Sequence, residues 1–168
     1  LTSSSVPGTT YSILAPGGRG IDAENGSGSG AVTINSTGNI SSQSHAISAQ
    51  QTGYGASGGV SVTSNGNLVS SNGEGIHTFT WFSPVTIVNT GNITAKGFGI
   101  NANTTTPAPK ESVVAVTSTG NVTSTGTTGI YGYGGSGNLT ITTNGQVSGK
   151  TFGIEARASE EARIWIDT

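Results

Sequence analysis

The sequence has no cysteine and no methionine, only six lysines and arginines against eight acids, and 6% aromatic residues among its 168. Each shortage excludes something. Without cysteine there is neither a disulfide framework nor a thiolate metal site. Six basic residues in a chain of net charge −2 cannot neutralise a run of phosphates, so nucleic acid is not an expected partner. No apolar run approaches the roughly 20 residues that span a bilayer, and the opening LTSSSVPGTT lacks the basic start and apolar core of a signal peptide. Beginning at Leu1 rather than Met, the chain reads as part of a longer one. Leu, Ile, Val and Phe number 34, a share low enough to suggest disorder were the net charge high, which it is not. What is abundant is Gly, with 28 residues, alongside Ser, Thr and Asn. That composition leaves a flexible tract, or a fold that needs little apolar surface per residue because it repeats.

Self-comparison decides for the repeat. The segments AVTINSTGNISSQSHAISA from Ala31, GVSVTSNGNLVSSNGEGIHT from Gly59, PVTIVNTGNITAKGFGINA from Pro84, VAVTSTGNVTSTGTTGIYG from Val114 and LTITTNGQVSGKTFGIEA from Leu139 are versions of one sentence. Each has an apolar-x-apolar triplet, a Gly followed by Asn or Gln, one aliphatic, and an Ile preceded by Gly or once by Ala. The triplet's second apolar residue recurs at Ile34, Val62, Ile87, Val116, Ile141 and Ile166, in steps of 28, 25, 29, 25 and 25. The last Ile recurs at Ile21, Ile47, Ile76, Ile100, Ile130 and Ile154. Periods of this size signal a solenoid or array.

Within a repeat the spacing is tighter than between repeats. Six residues separate the triplet from the aliphatic after Gly-Asn every time, and seven or eight separate that from the Gly-Ile residue, so variable length is confined to one join. Period-two alternation of β-branched residues argues strand rather than helix, and Gly and Asn at fixed positions suggest turns that tolerate φ > 0. The prediction is an all-β fold, a single-stranded parallel β-helix of about six coils of 24–30 residues with three short strands per coil. Four inward ladders hold 23 of the 30 Leu, Ile and Val residues. A disordered tract has no reason to keep its aliphatics in register, whereas stacked coils bury them at roughly 1.5–3 kcal/mol each. Asn39, Asn67, Asn92, Asn121 and Gln146 form one further column, read either as a side-chain amide ladder or as solvated turn residues.

Residues 1–19 read as a degenerate N-terminal coil or lead-in, with Ile13 or Leu14 occupying a ladder position. Residues 20–168 are the β-helix repeats, with Ile164-Trp165-Ile166 opening a truncated seventh coil. Edge strands left open at both ends need neighbouring coils or another chain to cover them.

The repeated V-x-I-x-x-x-G-N-I followed by G-I-x-A resembles the β-strand-repeat passenger domains of bacterial autotransporters, and more loosely the filamentous haemagglutinin-like adhesins. The resemblance covers roughly residues 20–168. It implies a right-handed parallel β-helix displayed outside a Gram-negative cell, extracellular or on the bacterial surface, with adhesion or host interaction as its role. These residues include no C-terminal translocator barrel, which fits a piece of passenger.

Catalytic chemistry finds little support. Asp22 and Glu155 share an outward column but stand five coils apart, roughly 24 Å at strand spacing, beyond the reach of a glycosidase pair. Glu160 and Glu161, flanked by Arg157 and Arg163, read as a solvated charged loop. The G-G-x-G-x-D calcium repeat is missing. His45 and His77 fall in different outward columns with no third ligand in register, so no metal site and no cofactor are expected. No Ser/His/Asp arrangement is identifiable, and the Asn-x-Ser/Thr triplets at Asn35, Asn39, Asn92, Asn103, Asn121 and Asn138 arise from composition.

The variable join carries the better signal. Its segments, at 51–59, 77–84, 103–112, 131–137 and 156–162, all follow the Gly-Ile strand and are expected to emerge along one corner. That brings Tyr54, Phe79, Trp81, Phe82, Tyr131 and Tyr133 to a common side as partner-binding candidates. The plainer alternative is that Phe79, Trp81 and Phe82 fold back over the local edge. The outward column Thr33, Ser61, Thr86, Ala115, Thr140 and Trp165 evokes an ice-binding Thr array but is interrupted twice. The expected function is therefore a non-enzymatic adhesion or host-interaction scaffold whose partner is a host protein or glycan. The alternative is a filament subunit self-associating through open coil ends, with a polysaccharide-active or ice-binding solenoid a distant third.

Overall fold

The computed structural model describes residues 12–26, 28–53, 57–105, 113–159 and 162–168. The alternating triplets and their partners pair into parallel strands. The first coil comprises β1 (Ser12–Ala15), β2 (Ile21–Asn25) and β3 (Val32–Ser36), and the second β4 (Asn39–Ser42), β5 (Ile47–Gln51) and β6 (Val60–Ser64). The third is β7 (Leu68–Ser70), β8 (Ile76–Thr80) and β9 (Val85–Asn89), and the fourth β10 (Ile93–Ala95), β11 (Ile100–Thr104) and β12 (Val114–Ser118). The fifth is β13 (Val122–Ser124), β14 (Ile130–Tyr133) and β15 (Leu139–Thr143), and the sixth β16 (Val147–Ser148), β17 (Ile154–Arg157) and β18 (Ile164–Asp167).

Every strand pairs only with its counterparts one coil away, giving three six-stranded parallel sheets. Sheet A stacks β1, β4, β7, β10, β13 and β16; sheet B stacks β2, β5, β8, β11, β14 and β17; sheet C stacks β3, β6, β9, β12, β15 and β18. The molecule is a parallel β-solenoid with three strands per coil. Its register is the one the repeats imply: Ile34, Val62, Ile87, Val116, Ile141 and Ile166 are successive partners in sheet C. Ile164-Trp165-Ile166 pairs with β15 and lies in the last strand of sheet C. At the other end Ile13 pairs with Ile40 and so joins the sheet A ladder, while Leu14 points out and is 73% exposed. Residue 19 lies between β1 and β2.

The core is narrow and sorted by row. Val60, Val62, Leu68, Ile76, Val85, Ile87, Ile93 and Ile100 are each 2% exposed or less. Sheet B adds a second inward row of small residues, Ala23, Ala49, Thr78, Ala102, Gly132 and Ala156. They are small because the branched side chains of sheet C occupy that space: a Cβ at Gly132 would lie 2.9 Å from Leu139 Cδ1. Toward the corners the inward residues turn polar, and Gln51 and Thr80 among them satisfy the turns. Gln51 donates from Nε2 to the Gly30 carbonyl (2.6 Å) and accepts from the Gly59 N–H (3.1 Å). Thr80 does the same for Ser83, donating to its carbonyl and accepting from its N–H.

Two expectations about the turns change. The repeated glycines are not there for left-handed backbone, since among the described glycines only Gly28, Gly59 and Gly135 have positive φ. They are there because coils stack too closely for a side chain. A Cβ at Gly91 or Gly120 would overlap the carbonyl of the glycine one coil below, and at Gly99 it would overlap Val122 and the Gly129 carbonyl. The Asn column, too, is neither an amide ladder nor merely solvated. Asn39 Oδ1 accepts the backbone N–H of Asn67, Asn67 that of Asn92, Asn92 that of Asn121 and Asn121 that of Gln146, at 2.9 to 3.0 Å.

Candidate functional site on the outer face of sheet B

Alternation along the strands of sheet B sends the residues one and three places after each ladder Ile outward. The first outward column reads Asp22, Ser48, His77, Asn101, Tyr131 and Glu155. Asp22 and Glu155 thus stand at its two ends, as the repeat spacing implies. The second reads Glu24, Gln50, Phe79, Asn103, Tyr133 and Arg157. A flanking column ahead of the strands, tied together by turn hydrogen bonds from coil to coil, holds Arg19, His45, Glu74, Phe98, Thr128 and Phe152. These columns collect both histidines and six charged residues. The outward positions of sheet C, by contrast, are chiefly Thr, Ser, Asn, Ala and Val, and those of sheet A are Ser41, Val69, Thr94, Thr123 and Ser148 from β4 onward.

At the centre, His45 and His77 stack across the rung between the second and third coils, ring centroids 5.0 Å apart and planes 20° from parallel. Glu74 serves both. Its Oε2 lies 2.6 Å from His77 Nδ1, which must carry the proton because an ionised carboxylate only accepts. Its backbone N–H donates to His45 Nδ1 at 3.2 Å, which leaves that ring's proton on Nε2. Burial pushes the His45 imidazole below its ordinary value, opposed by the Glu74 carboxylate and reinforced by His77 and Arg19, with Asp22 pulling the other way. The other Glu74 oxygen accepts from Asn101 Nδ2 (3.0 Å), and Asn101 Oδ1 accepts from Asn103 Nδ2 (2.9 Å). Glu74 stands two residues before Ile76 as His45 does before Ile47, so the repeat spacing puts it next to His45, a neighbour that the columns of acids and histidines taken separately do not show. Among the described residues no group of three or more His, Asp or Glu could hold a metal ion.

Two local charge pairs lie elsewhere on the face, and Glu24 Oε1 accepts from the Thr52 hydroxyl at 2.8 Å. Arg19 Nη1 contacts both Asp22 oxygens at 2.8 and 2.9 Å, and Arg157 Nη2 lies 2.5 Å from Glu155 Oε1. Tyr131 packs its ring on Phe98, centroids 5.2 Å apart, and burial raises its phenol above the ordinary value. The Tyr133 hydroxyl is within 3.1 Å of Ser159 Oγ.

The aromatic candidates divide. Phe79, Tyr131 and Tyr133 are not in corner insertions but on the strands, because backbone pairing in sheet B runs three or four residues beyond the ladder Ile, from Ile76 to Thr80 in β8 and from Ile130 to Tyr133 in β14. Trp81 and Phe82 follow β8 in the turn; Trp81 is 42% exposed and meets Phe79 edge-on, with centroids 5.2 Å apart and planes at 84°. Tyr54 lies outside the described residues, as do Glu160 and Glu161. Phe98, Asn101 and Asn103 belong to the same face. The position of each relative to Ile100 marks them in the sequence once all outward columns are read together, not only those holding acids or histidines.

Fold and face together define a parallel β-solenoid with one chemically elaborated side. No family model, no curated protein and no solved structure matches this chain.

Proposed function

We propose that this chain is a non-enzymatic segment of a secreted or cell-surface protein, a rigid display scaffold for adhesion or host interaction whose contact surface is the outer face of sheet B. One observation carries this reading: the side chains capable of recognition are concentrated on a single one of three otherwise plain faces. A regular solenoid is suited to this role because its ladders hold outward residues at fixed spacing without needing any of them for the core. Local pairing of Arg19 with Asp22, Glu74 with His77 and Arg157 with Glu155 favours a contact surface over acid–base chemistry. The resemblance of the repeat to autotransporter passengers and haemagglutinin-like adhesins supports the same placement outside the cell.

The test is attachment of the purified chain to host cells and extracellular matrix. The double substitution Phe79→Ser and Tyr133→Ser is expected to abolish it, whereas Thr86→Ala on sheet C leaves it intact. Retained attachment by the double variant overturns the reading.

A second reading, end-to-end stacking into filaments, draws on the two end surfaces. Ile164, Trp165 and Ile166 of β18 are 44–67% exposed, and the opposite end opens on a cavity of about 390 Å³ lined by Ile13, Ile21, Ala23 and Ile34. In a filament a second copy would cover them. Sedimentation that stays monomeric as concentration rises, with no fibres in electron micrographs, removes the filament.

A further inference from the structure

Resting on that reading and deepening it, we propose that the face binds an uncharged oligosaccharide, laid along the solenoid axis over Phe79, Asn103 and Tyr133. These three occupy successive rungs, Asn103 pairing with Phe79 on one side and Tyr133 on the other. At strand spacing the two rings stand roughly 10 Å apart, a span that two pyranose units cover. Trp81 stands edge-on beside Phe79, with ring planes at 84°, and flanks the first ring.

The chemistry of the row matches a sugar. A pyranose offers C–H groups on its faces and hydroxyls around its rim. The electron-rich faces of Phe79 and Tyr133 attract such C–H groups. An amide both donates and accepts, as a hydroxyl does, and Asn103 sits between the rings with its Oδ1 available. Its orientation is set in advance by the chain from Glu74 Oε1 through Asn101 to Asn103, so little ordering remains to be done on binding.

Charge narrows the ligand further. Asp22, Glu24, Glu74 and Glu155 outnumber Arg19 and Arg157 on this face, and both arginines are already paired with carboxylates. Acidic sugars and nucleic acids meet net repulsion there. A protein partner would require a contiguous apolar centre depleted of charge, whereas here a polar residue separates the two rings and charged groups flank them.

The decisive experiment titrates the chain with uncharged hexasaccharides of glucose, mannose and N-acetylglucosamine, and with heparin- and hyaluronan-derived hexasaccharides. Saturable binding of at least one uncharged probe is expected. Asn103→Ala and Tyr133→Ala should each weaken it by about tenfold, and Thr117→Ala on sheet C should not alter it. Circular dichroism verifies folding, with the milder Asn103→Ser and Tyr133→Leu replacing whichever alanine variant fails. Binding confined to the acidic probes, binding indifferent to Asn103 and Tyr133, or no oligosaccharide binding by a chain that still attaches to host matrix overturns the proposal. That last outcome leaves the adhesion reading standing, whereas no attachment of any kind removes both.

Discussion

His45 and His77 are stacked with a single carboxylate serving both, and one of them is poorly placed to take a proton. His45 Nδ1 accepts the Glu74 N–H, a bond that holds the second coil to the third. Burial lowers its folded pKa below the unfolded value near 6.5, so the unfolded chain takes the proton first. Stability is therefore full above about pH 6.5 and declines as pH falls toward the lowered folded value. His77, Arg19, Glu74 and Asp22 are the charged or titratable groups acting on it. Urea midpoints from pH 8 to pH 5 should fall on acidification, and fall less in His45→Gln; equal slopes would refute the assignment. The glycines give a second test at this scale. Gly91→Ala places a Cβ onto the Gly66 backbone, while Gly17 has nothing within 4 Å of such an atom. Gly91→Ala should cost about 1–3 kcal/mol or more, and Gly17→Ala almost nothing, as read from thermal or denaturant midpoints.

Along the elements, the Asn column acts as an external seam. Each Oδ1 takes a backbone N–H of the next coil at the turn where sheet C hands over to sheet A. Asn92→Ala leaves the Asn121 N–H to water and should cost about 0.5–1.5 kcal/mol, whereas Asn92→Asp keeps an acceptor and should cost less. Equal losses would show that the seam acts through shape alone. This seam also marks what sequence can and cannot disclose. The strands, their parallel register and the four aliphatic ladders are legible because burial selects only apolar residues and stacking repeats that selection at each coil. The column of Asn is legible too, but its bonding is not, since the letter does not say whether Oδ1 points along the axis or to water. Likewise Asp22 and Glu155 are placed by counting from Ile21 and Ile154. The meeting of His45 with His77 depends instead on ring orientations from two different columns, and the assignment of Phe79 to a strand depends on how far pairing runs past Ile76.

For the whole molecule, stability is a sum over coils and the interfaces between them. Ile76, Ile87 and Ile100 in the middle are at most 1% exposed, while in the sixth coil Val147 and Ile154 are only partly buried and Ile164 and Ile166 exceed 40%. A coil with one neighbour gains one interface instead of two for the same cost of ordering its backbone, so opening should begin at the ends. Native-state hydrogen exchange should accordingly give the greatest protection to amides of β8, β9, β11 and β12 and the least to β17 and β18, with intermediate values in between. Phe79 on β8 and Asn103 on β11 fall within the protected centre and Tyr133 on β14 borders it, whereas the Arg157 end of the same face on β17 lies outside it. A binding surface held rigid by both neighbours keeps its ring spacing, which recognition of an extended ligand requires. Uniform protection from end to end would mean that the coils unfold as one cooperative unit, and the central position of the row would then give it no advantage in rigidity.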